Sequence, residues 1–139
     1  MICFKTFPRT GWGQDSPTSS PSYLKQSMVP LVANEQCKKQ FSINIDERSM
    51  ICLGGTGSSA CMGDSGGPLV CEESGKWYLR GAASFVTSRQ CPRNKYSVYA
   101  RVSSYIDWIK DKIGKSTILY SEIYLNYILL NIIFINIHP

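Results

Sequence analysis

The chain has 139 residues, 43% of them hydrophobic, which suits one domain with its own core rather than two domains. Its net charge of +5 comes from 15 basic and 10 acidic residues scattered along the sequence. No basic cluster is interleaved with aromatic residues as a nucleic-acid platform requires, so we expect no nucleic-acid partner.

Six cysteines form an even set, and none of their spacings is typical of a metal site. Disulfide bonds formed in an oxidising compartment fit better, so we expect an extracellular protein with no metal and no cofactor. Residues 1–9 nevertheless lack the charged head and apolar stretch of a secretory signal. We therefore interpret residues 1–9 as a non-native start.

The middle of the chain predicts short strands followed by one longer helix. The strand-like runs cover residues 28–32, 49–54, 67–72, 77–86 and 97–102, and a short helix with Asn34 as its N-cap follows the first run. Turns rich in glycine, serine and asparagine separate the runs, which indicates an antiparallel barrel or sandwich. Residues 102–114 then change to a helical period, with Tyr105, Ile109 and Ile113 four residues apart.

The tail, residues 115–139, is rich in isoleucine and asparagine and does not fit the barrel pattern. Its apolar run is long enough to span a bilayer, but Glu122 and several asparagines interrupt it. The lysines before the tail would, by the positive-inside rule, place a disulfide-bearing domain in the cytoplasm. We interpret 115–139 as an appended extension, with membrane contact through residues 116–139 as the open alternative.

Residues 61–71, CMGDSGGPLVC, place a serine between an acid and two glycines. A serine hydroxyl becomes a nucleophile only with a base in hydrogen-bond reach and donors aimed at the oxyanion it creates. Gly63 can turn its N–H into the space that the N–H of Ser65 faces, because no Cβ obstructs that conformation. The Asp64 side chain points away from that of Ser65, so we expect it to face a buried cation rather than act as the base.

With its flanks, this stretch resembles the nucleophile loop of the chymotrypsin-like (trypsin-fold, peptidase family S1) serine endopeptidases. Further similarities follow in the family's order: TGWG at 10–13, MVPLV at 28–32 with Cys37, MICLG at 50–54, ASFV at 83–86, Cys91, and VYARVSSYIDWI at 98–109. They correspond to the second of the family's two barrels. The resemblance therefore implies an all-β, antiparallel Greek-key β-barrel over residues 10–114 that ends in an α-helix.

The resemblance also implies roles around the serine. Ser65 is the nucleophile, and the backbone N–H groups of Gly63 and Ser65 form the oxyanion hole. Asp64 pairs with the new N-terminal ammonium that zymogen cleavage releases. Disulfide bonds join Cys37 to Cys52, Cys61 to Cys91, and Cys3 to Cys71. The third bond is in doubt because Cys3 lies further before Gly11 than the family's partner cysteine usually does.

The substrate pocket is implied in the same way. Ser59 takes the floor position, where trypsin-like members carry an aspartate, and Val86 and Ser97 take two wall positions that are glycines in members with deep pockets. Such a neutral, shortened slot is most similar to pancreatic-type elastases, which favour small aliphatic residues, while chymotrypsin-like specificity for larger residues stays open. Ser84, Phe85 and Val86 form the strand that pairs with the substrate backbone.

The base for Ser65 is missing from this set of residues. The family's triad histidine and aspartate lie in the first barrel, and the only histidine here is His138, after the closing helix and without an orienting acid. We expect a truncated serine endopeptidase that needs its N-terminal barrel as partner and takes a peptide or protein substrate. A non-catalytic peptide-binding module derived from a protease, and a membrane-tethered domain, are the alternatives.

Overall fold

The computed structural model of the protein describes residues 6–15, 21–88 and 90–114. The chain divides into two units, residues 1–102 and residues 103–139. Within the described ranges, no helix is both long and apolar enough to cross a membrane. The tail, residues 115–139, lies outside those ranges, so the interpretation of it as an extension stays a prediction.

The described part of the first unit contains six strands and one α-helix. In chain order they are β1 (Thr6–Gly11), β2 (Lys25–Pro30), α1 (Asn34–Phe41), β3 (Met50–Gly54), β4 (Pro68–Glu73), β5 (Lys76–Val86) and β6 (Tyr96–Arg101). The strands form one antiparallel sheet in the order β2-β1-β4-β5-β6-β3. An antiparallel bridge between Leu31 and Leu53 connects the ends of that order, so the sheet curls into a barrel.

A 3-10 helix, η1 (Val102–Tyr105), leads into the second unit, whose described part continues with α2 (Ile106–Gly114). The helical period predicted over residues 102–114 therefore begins with a tighter turn. Asp107 lies in the first turn of α2 and Lys112 in its last, where each charge complements the helix dipole. These elements confirm the expected class, an antiparallel β-barrel with a C-terminal helix.

Two apolar clusters explain why β3 is apolar on both of its faces. Each of the six strands contributes to the first cluster, which consists of Phe7, Val29, Ile51, Leu53, Ala60, Leu69, Cys71, Ala83 and Tyr99. The second cluster lies between α1 and the outer face of β3 and β6, and consists of Val32, Cys37, Ile45, Cys52 and Val98. Because alternate side chains of a strand point to opposite faces, Ile51 and Leu53 enter one cluster and Cys52 the other. A Cys37–Cys52 disulfide bond joins α1 to β3 there.

The sequence did not predict β1, which lies between β2 and β4. Phe7 and Arg9 share one face of this strand, and Phe7 is buried in the first cluster. A charged residue on the inner face, and Pro8 in the middle of the run, conceal the alternation that usually marks a strand. β1 begins at Thr6, within the segment interpreted as non-native, and residues 1–5 lie outside the described ranges.

Candidate active site

Residues 61–67, here called the nucleophile loop, lead into β4 and are held against β5 by backbone hydrogen bonds. The N–H of Gly66 donates to the Ala83 carbonyl at 2.8 Å, and the N–H of Ala83 donates to the Gly67 carbonyl at 2.9 Å. Within the loop, the N–H of Asp64 donates to the Cys61 carbonyl at 3.0 Å, and that of Gly67 to the Asp64 carbonyl at 2.8 Å. These four hydrogen bonds define the backbone shape of the loop.

One disulfide bond and two hydrogen bonds fix the segment before the serine. A disulfide bond joins Cys61 to Cys91, and the hydroxyl of Ser59 donates to the Cys91 carbonyl at 3.3 Å. Ser97 is 2% exposed, and its hydroxyl accepts the N–H of Ala60 at 2.8 Å. The Ser97 hydroxyl therefore fixes the backbone just before the nucleophile loop.

The nucleophile loop exposes Ser65 and the residues that carry two backbone donors, the N–H groups of Gly63 and of Ser65 itself. Ser65 and Gly63 are exposed, and Gly63 has φ = 95°, a conformation that glycine adopts readily and other residues avoid. Among the described residues, the N–H groups of Gly63 and Ser65 donate no hydrogen bond, and the Ser65 hydroxyl makes none. Within the described residues, the loop therefore leaves these two backbone donors and the Ser65 hydroxyl without a hydrogen-bond partner.

A cavity of about 320 Å³ opens beside Ser65. Its lining includes Ala60, Cys61, Met62, Ser65, Ala83, Ser84, Phe85, Val86, Thr87 and Ser88. None of these described residues carries a charge, and the volume is near the lower end of the range for small-molecule pockets.

One wall of this cavity is the end of β5. The pairing of β5 with β6 shifts between Ala83 and Phe85, which leaves Ser84 as the extra residue of a bulge. The pairing of β5 with β4 stops at Ala82, so beyond it only β6 pairs with Phe85 and Val86 among the described strands. The other edge of this segment therefore pairs with no strand among the described residues.

Ser59 and Ser97 do not line the cavity beside Ser65. Ser59 lines a larger, more polar cavity of about 560 Å³, which also contains Arg9 and Asp64 and shares Cys61 with the smaller one. Ser97 is in neither lining set. Val86 is therefore the one of the three implied pocket residues whose side chain borders the cavity beside Ser65.

Asp64 is a buried carboxylate, 8% exposed, that accepts three hydrogen bonds. Its Oδ1 accepts the N–H of Gly13 at 2.9 Å, and its Oδ2 accepts the N–H of Cys61 at 2.9 Å and a guanidinium N–H of Arg9 at 3.4 Å. The carboxylate fits because its neighbours lack side chains: a Cβ on Gly11 would lie 2.0 Å from Oδ1. The structure thus places a cation opposite Asp64, and that cation is Arg9.

Arg9 is the partner of Asp64 that the sequence did not reveal. Its other nitrogens donate to the Ser58 hydroxyl at 2.7 Å, to the Ser59 carbonyl at 2.7 Å and to the Ser27 hydroxyl at 3.2 Å. The guanidinium therefore connects β1 with β2 and with the segment that precedes the nucleophile loop. One sequence signal could have revealed this partner. It is a basic residue two positions before Gly11, on the same strand face as the buried Phe7.

We expect Tyr99→Phe to remove part of the loss of stability at alkaline pH. Tyr99 is 2% exposed, and burial raises the pKa of its phenol above the ordinary 10.0, with nearby Arg9 acting in the opposite direction. The folded state therefore holds this proton more tightly than the unfolded state. The resulting stability is fully present below the unfolded pKa and is lost as the pH rises through the folded pKa.

Urea unfolding at about pH 8 and about pH 11 measures this effect. The wild type should lose more stability between the two values than Tyr99→Phe does. Tyr23→Phe, which changes a 66% exposed tyrosine, should behave like the wild type. Equal losses in the wild type and Tyr99→Phe would contradict the expectation.

The match to a known protein family agrees with the barrel fold and the exposed serine. A family model described as "Trypsin" matches residues 5–109, and the chain belongs to this family of serine proteases. The match begins before residue 10, so it includes all of β1.

Among individual proteins, the chain is similar to Spermosin from Halocynthia roretzi, with 41% identity over 100 residues. The alignment covers 71% of this chain and 26% of Spermosin. The chain therefore spans about a quarter of the length of that relative.

Proposed function

We propose that this chain supplies the nucleophile, the oxyanion hole and the specificity pocket of a serine endopeptidase. The observation that carries the proposal is the pair of unbonded N–H groups, on Gly63 and Ser65, next to the unbonded Ser65 hydroxyl. Both residues are exposed, and backbone N–H groups without a protein partner are what an oxyanion requires. The cavity beside Ser65 gives a substrate side chain its place.

The reaction follows from these groups. The Ser65 oxygen attacks the carbonyl carbon of the scissile peptide while a general base takes the hydroxyl proton. The carbonyl oxygen gains negative charge, and the N–H groups of Gly63 and Ser65 donate to it. The tetrahedral intermediate then collapses, the protonated amine leaves, and water hydrolyses the acyl-enzyme. Loss of such donors typically costs about 10²–10³ in rate.

The base is a histidine outside the described residues, since those residues include none. We place it, with its orienting aspartate, in a first barrel that packs against this one. The alignment supports this proposal, because this chain corresponds to about a quarter of Spermosin. The chain alone is then catalytically incomplete, and a protein that carries both barrels is the active form.

The proposed specificity is for a small, uncharged residue on the amino side of the scissile bond, as in elastases. The support is the uncharged lining of the 320 Å³ cavity, which includes Val86. A hydrophobic slot discriminates by about 1–3 kcal/mol per methylene, so this is a graded preference. The two disulfide bonds described, Cys37–Cys52 and Cys61–Cys91, suit an extracellular protease.

Labelling with a fluorophosphonate tests the proposal. The 139-residue chain alone should label negligibly, because its described residues include no histidine to act as the base. Joined to the first barrel of a trypsin-family protease, with its histidine and aspartate, the chain should label at Ser65. Ser65→Ala should abolish labelling, whereas Ser22→Ala, at an exposed serine, should leave it unchanged.

Two results would contradict the proposal. Strong labelling of the chain alone would show that its own groups activate Ser65. Absence of labelling in the joined protein, together with retained binding of an extended peptide, would support the peptide-binding module instead.

A further inference from the structure

The last turn of α1 contacts the beginning of β6 through the side chain of Gln40. The Gln40 Oε1 accepts the backbone N–H of Tyr96 at 2.9 Å, and the Gln40 Nε2 donates to the Tyr96 carbonyl at 3.2 Å. Two residues of neighbouring antiparallel strands exchange a pair of hydrogen bonds in the same way. The Gln40 amide therefore pairs with the backbone of Tyr96 as a strand residue would.

This contact lies where β5 stops pairing with β6. The last pair of the two strands is Val86 with Ser97, so β5 offers Tyr96 no partner among the described residues. Tyr96 is half-buried, and backbone groups in such a place are costly to leave without hydrogen bonds. Gln40 therefore supplies the two hydrogen bonds that hold β6 one residue beyond the end of β5.

The residue after Tyr96 connects two parts of the cavity beside Ser65. Ser97 pairs with Val86 at the end of β5, and its buried hydroxyl accepts the N–H of Ala60 at 2.8 Å. Val86 and Ala60 both line the cavity, although they belong to segments that are far apart in the sequence. A shift of Ser97 would therefore move both parts of the lining.

The helix that carries Gln40 is itself fixed to the barrel. The Cys37–Cys52 disulfide bond joins α1 to β3, one helical turn before Gln40. The next residue, Phe41, places its ring edge-on to that of Phe85, with the ring centroids 5.3 Å apart. The end of α1 therefore contacts both β5 and β6 from an anchored position.

We propose that Gln40 is a positioning residue that holds Ser97 through Tyr96 and thereby sets the width of the cavity beside Ser65. Gln40 is in the lining of neither of the two cavities described above, so it acts on the cavity only through β6. A cavity of fixed width distinguishes small from large substrate side chains. The part of this inference that concerns substrates rests on the proposed function.

Amide hydrogen exchange by NMR on the 139-residue chain tests the structural part. Gln40→Met should speed exchange of the Tyr96 amide by about tenfold, because it removes both hydrogen bonds. It should also speed exchange of the Ala60 amide by about threefold or more. Both changes are measured relative to the Arg101 amide, which donates to the Ser49 carbonyl at the other end of β6. Ala60 is the decisive amide, because the substitution removes none of its own partners.

Gln36→Met is the matched control, because Gln36 is an exposed glutamine one turn earlier in the same helix. It should leave the Tyr96 and Ala60 amides within about twofold of the wild type. Faster exchange at Tyr96 without any change at Ala60 would overturn the proposal, and so would equal acceleration of all three measured amides. If Gln40→Met does not fold, Gln40→Glu replaces it, since glutamate keeps an acceptor for the Tyr96 N–H but has no donor for the carbonyl.

The joined protein of the labelling experiment tests the part that concerns substrates. Two peptides that differ only in alanine or phenylalanine on the amino side of the scissile bond give a ratio of kcat/KM values. Gln40→Met should lower this alanine-to-phenylalanine ratio by about fivefold, because a less firmly held cavity admits the larger side chain more readily. Fluorophosphonate labelling of Ser65 should stay within about twofold of the wild type, since Gln40 contacts neither the nucleophile nor the oxyanion donors. Gln36→Met should change neither quantity.

The two experiments separate this proposal from the proposed function. If Ser65 of the joined protein is never labelled, the proposed function fails, and the Ala60 amide still decides whether Gln40 holds the cavity. If Ser65 is labelled but Gln40→Met leaves the kcat/KM ratio unchanged, the proposed function stands and the role of Gln40 in specificity fails. An equal loss of kcat/KM for both peptides would likewise count against Gln40 as a residue that sets the width of the cavity.

Discussion

Replacing Asp64 with asparagine should lower the free energy of unfolding by about 3–5 kcal/mol, the cost of breaking one half of a buried ion pair. Asparagine keeps a carbonyl oxygen that can accept the Gly13 N–H. Its amide nitrogen, however, would face two donors, the Cys61 N–H and the guanidinium of Arg9. The guanidinium would also lose its counter-charge in a site that water reaches poorly. Chemical denaturation followed by tryptophan fluorescence measures the change.

Two further variants show whether burial of the pair causes this loss. Glu47→Gln removes a carboxylate that pairs with Lys38 at the surface, 54% exposed, and should change stability little. The double variant Arg9→Met/Asp64→Asn should lose less than the sum of the two single losses, because no uncompensated charge remains. An Asp64→Asn loss as small as that of Glu47→Gln would show that the buried carboxylate has no net role in stability.

The β-barrel architecture was predictable from the sequence because most strands are apolar, β-branched runs bounded by turn residues. β3 to β6 begin and end within a residue of the predicted runs, since each is a run of apolar and β-branched residues with turn residues on both sides. β2 was placed three residues late, because its first half, Lys25 to Ser27, is polar and borders the larger cavity. Asn34 begins α1 as its first residue rather than as its cap, and Ala33 is the cap position.

The site was predictable only where local conformation decides it. The open N–H groups of Gly63 and Ser65 follow from a glycine at a position that needs a positive φ, which a short motif can reveal. The cation opposite Asp64 is 55 residues away in sequence, so no local pattern connects the two. The hydroxyl of Ser97 likewise holds Ala60 from a strand 37 residues later. Such partners depend on which strands the barrel brings together.

Replacing Gly13 with alanine should be about as damaging as removing the carboxylate, with a loss of about 3 kcal/mol or more. A Cβ at this position would lie 2.3 Å from Cγ of Asp64 and 2.4 and 2.5 Å from its two oxygens. Gly13 cannot move away without breaking the hydrogen bond that its N–H donates to Oδ1. Gly114→Ala is the control, since a Cβ there meets nothing within 4 Å. The same denaturation experiment measures both variants.

A double-mutant cycle tests whether Gly13 is needed to make room for the Asp64 carboxylate. If the loss comes from overlap of the new methyl group with the carboxylate, Gly13→Ala should cost much less in an Asp64→Ala background, with a coupling of about 2 kcal/mol or more. Additive losses would instead mean that the damage comes from the contact of Gly13 with Gly63. These two residues are close, since a Cβ on Gly63 would lie 3.2 Å from the Gly13 Cα. A large coupling would mean that residues 10–13 carry glycines in order to admit the Asp64 carboxylate. The motif TGWG would then be part of the machinery that shapes the nucleophile loop, although none of its residues lines the cavity beside Ser65.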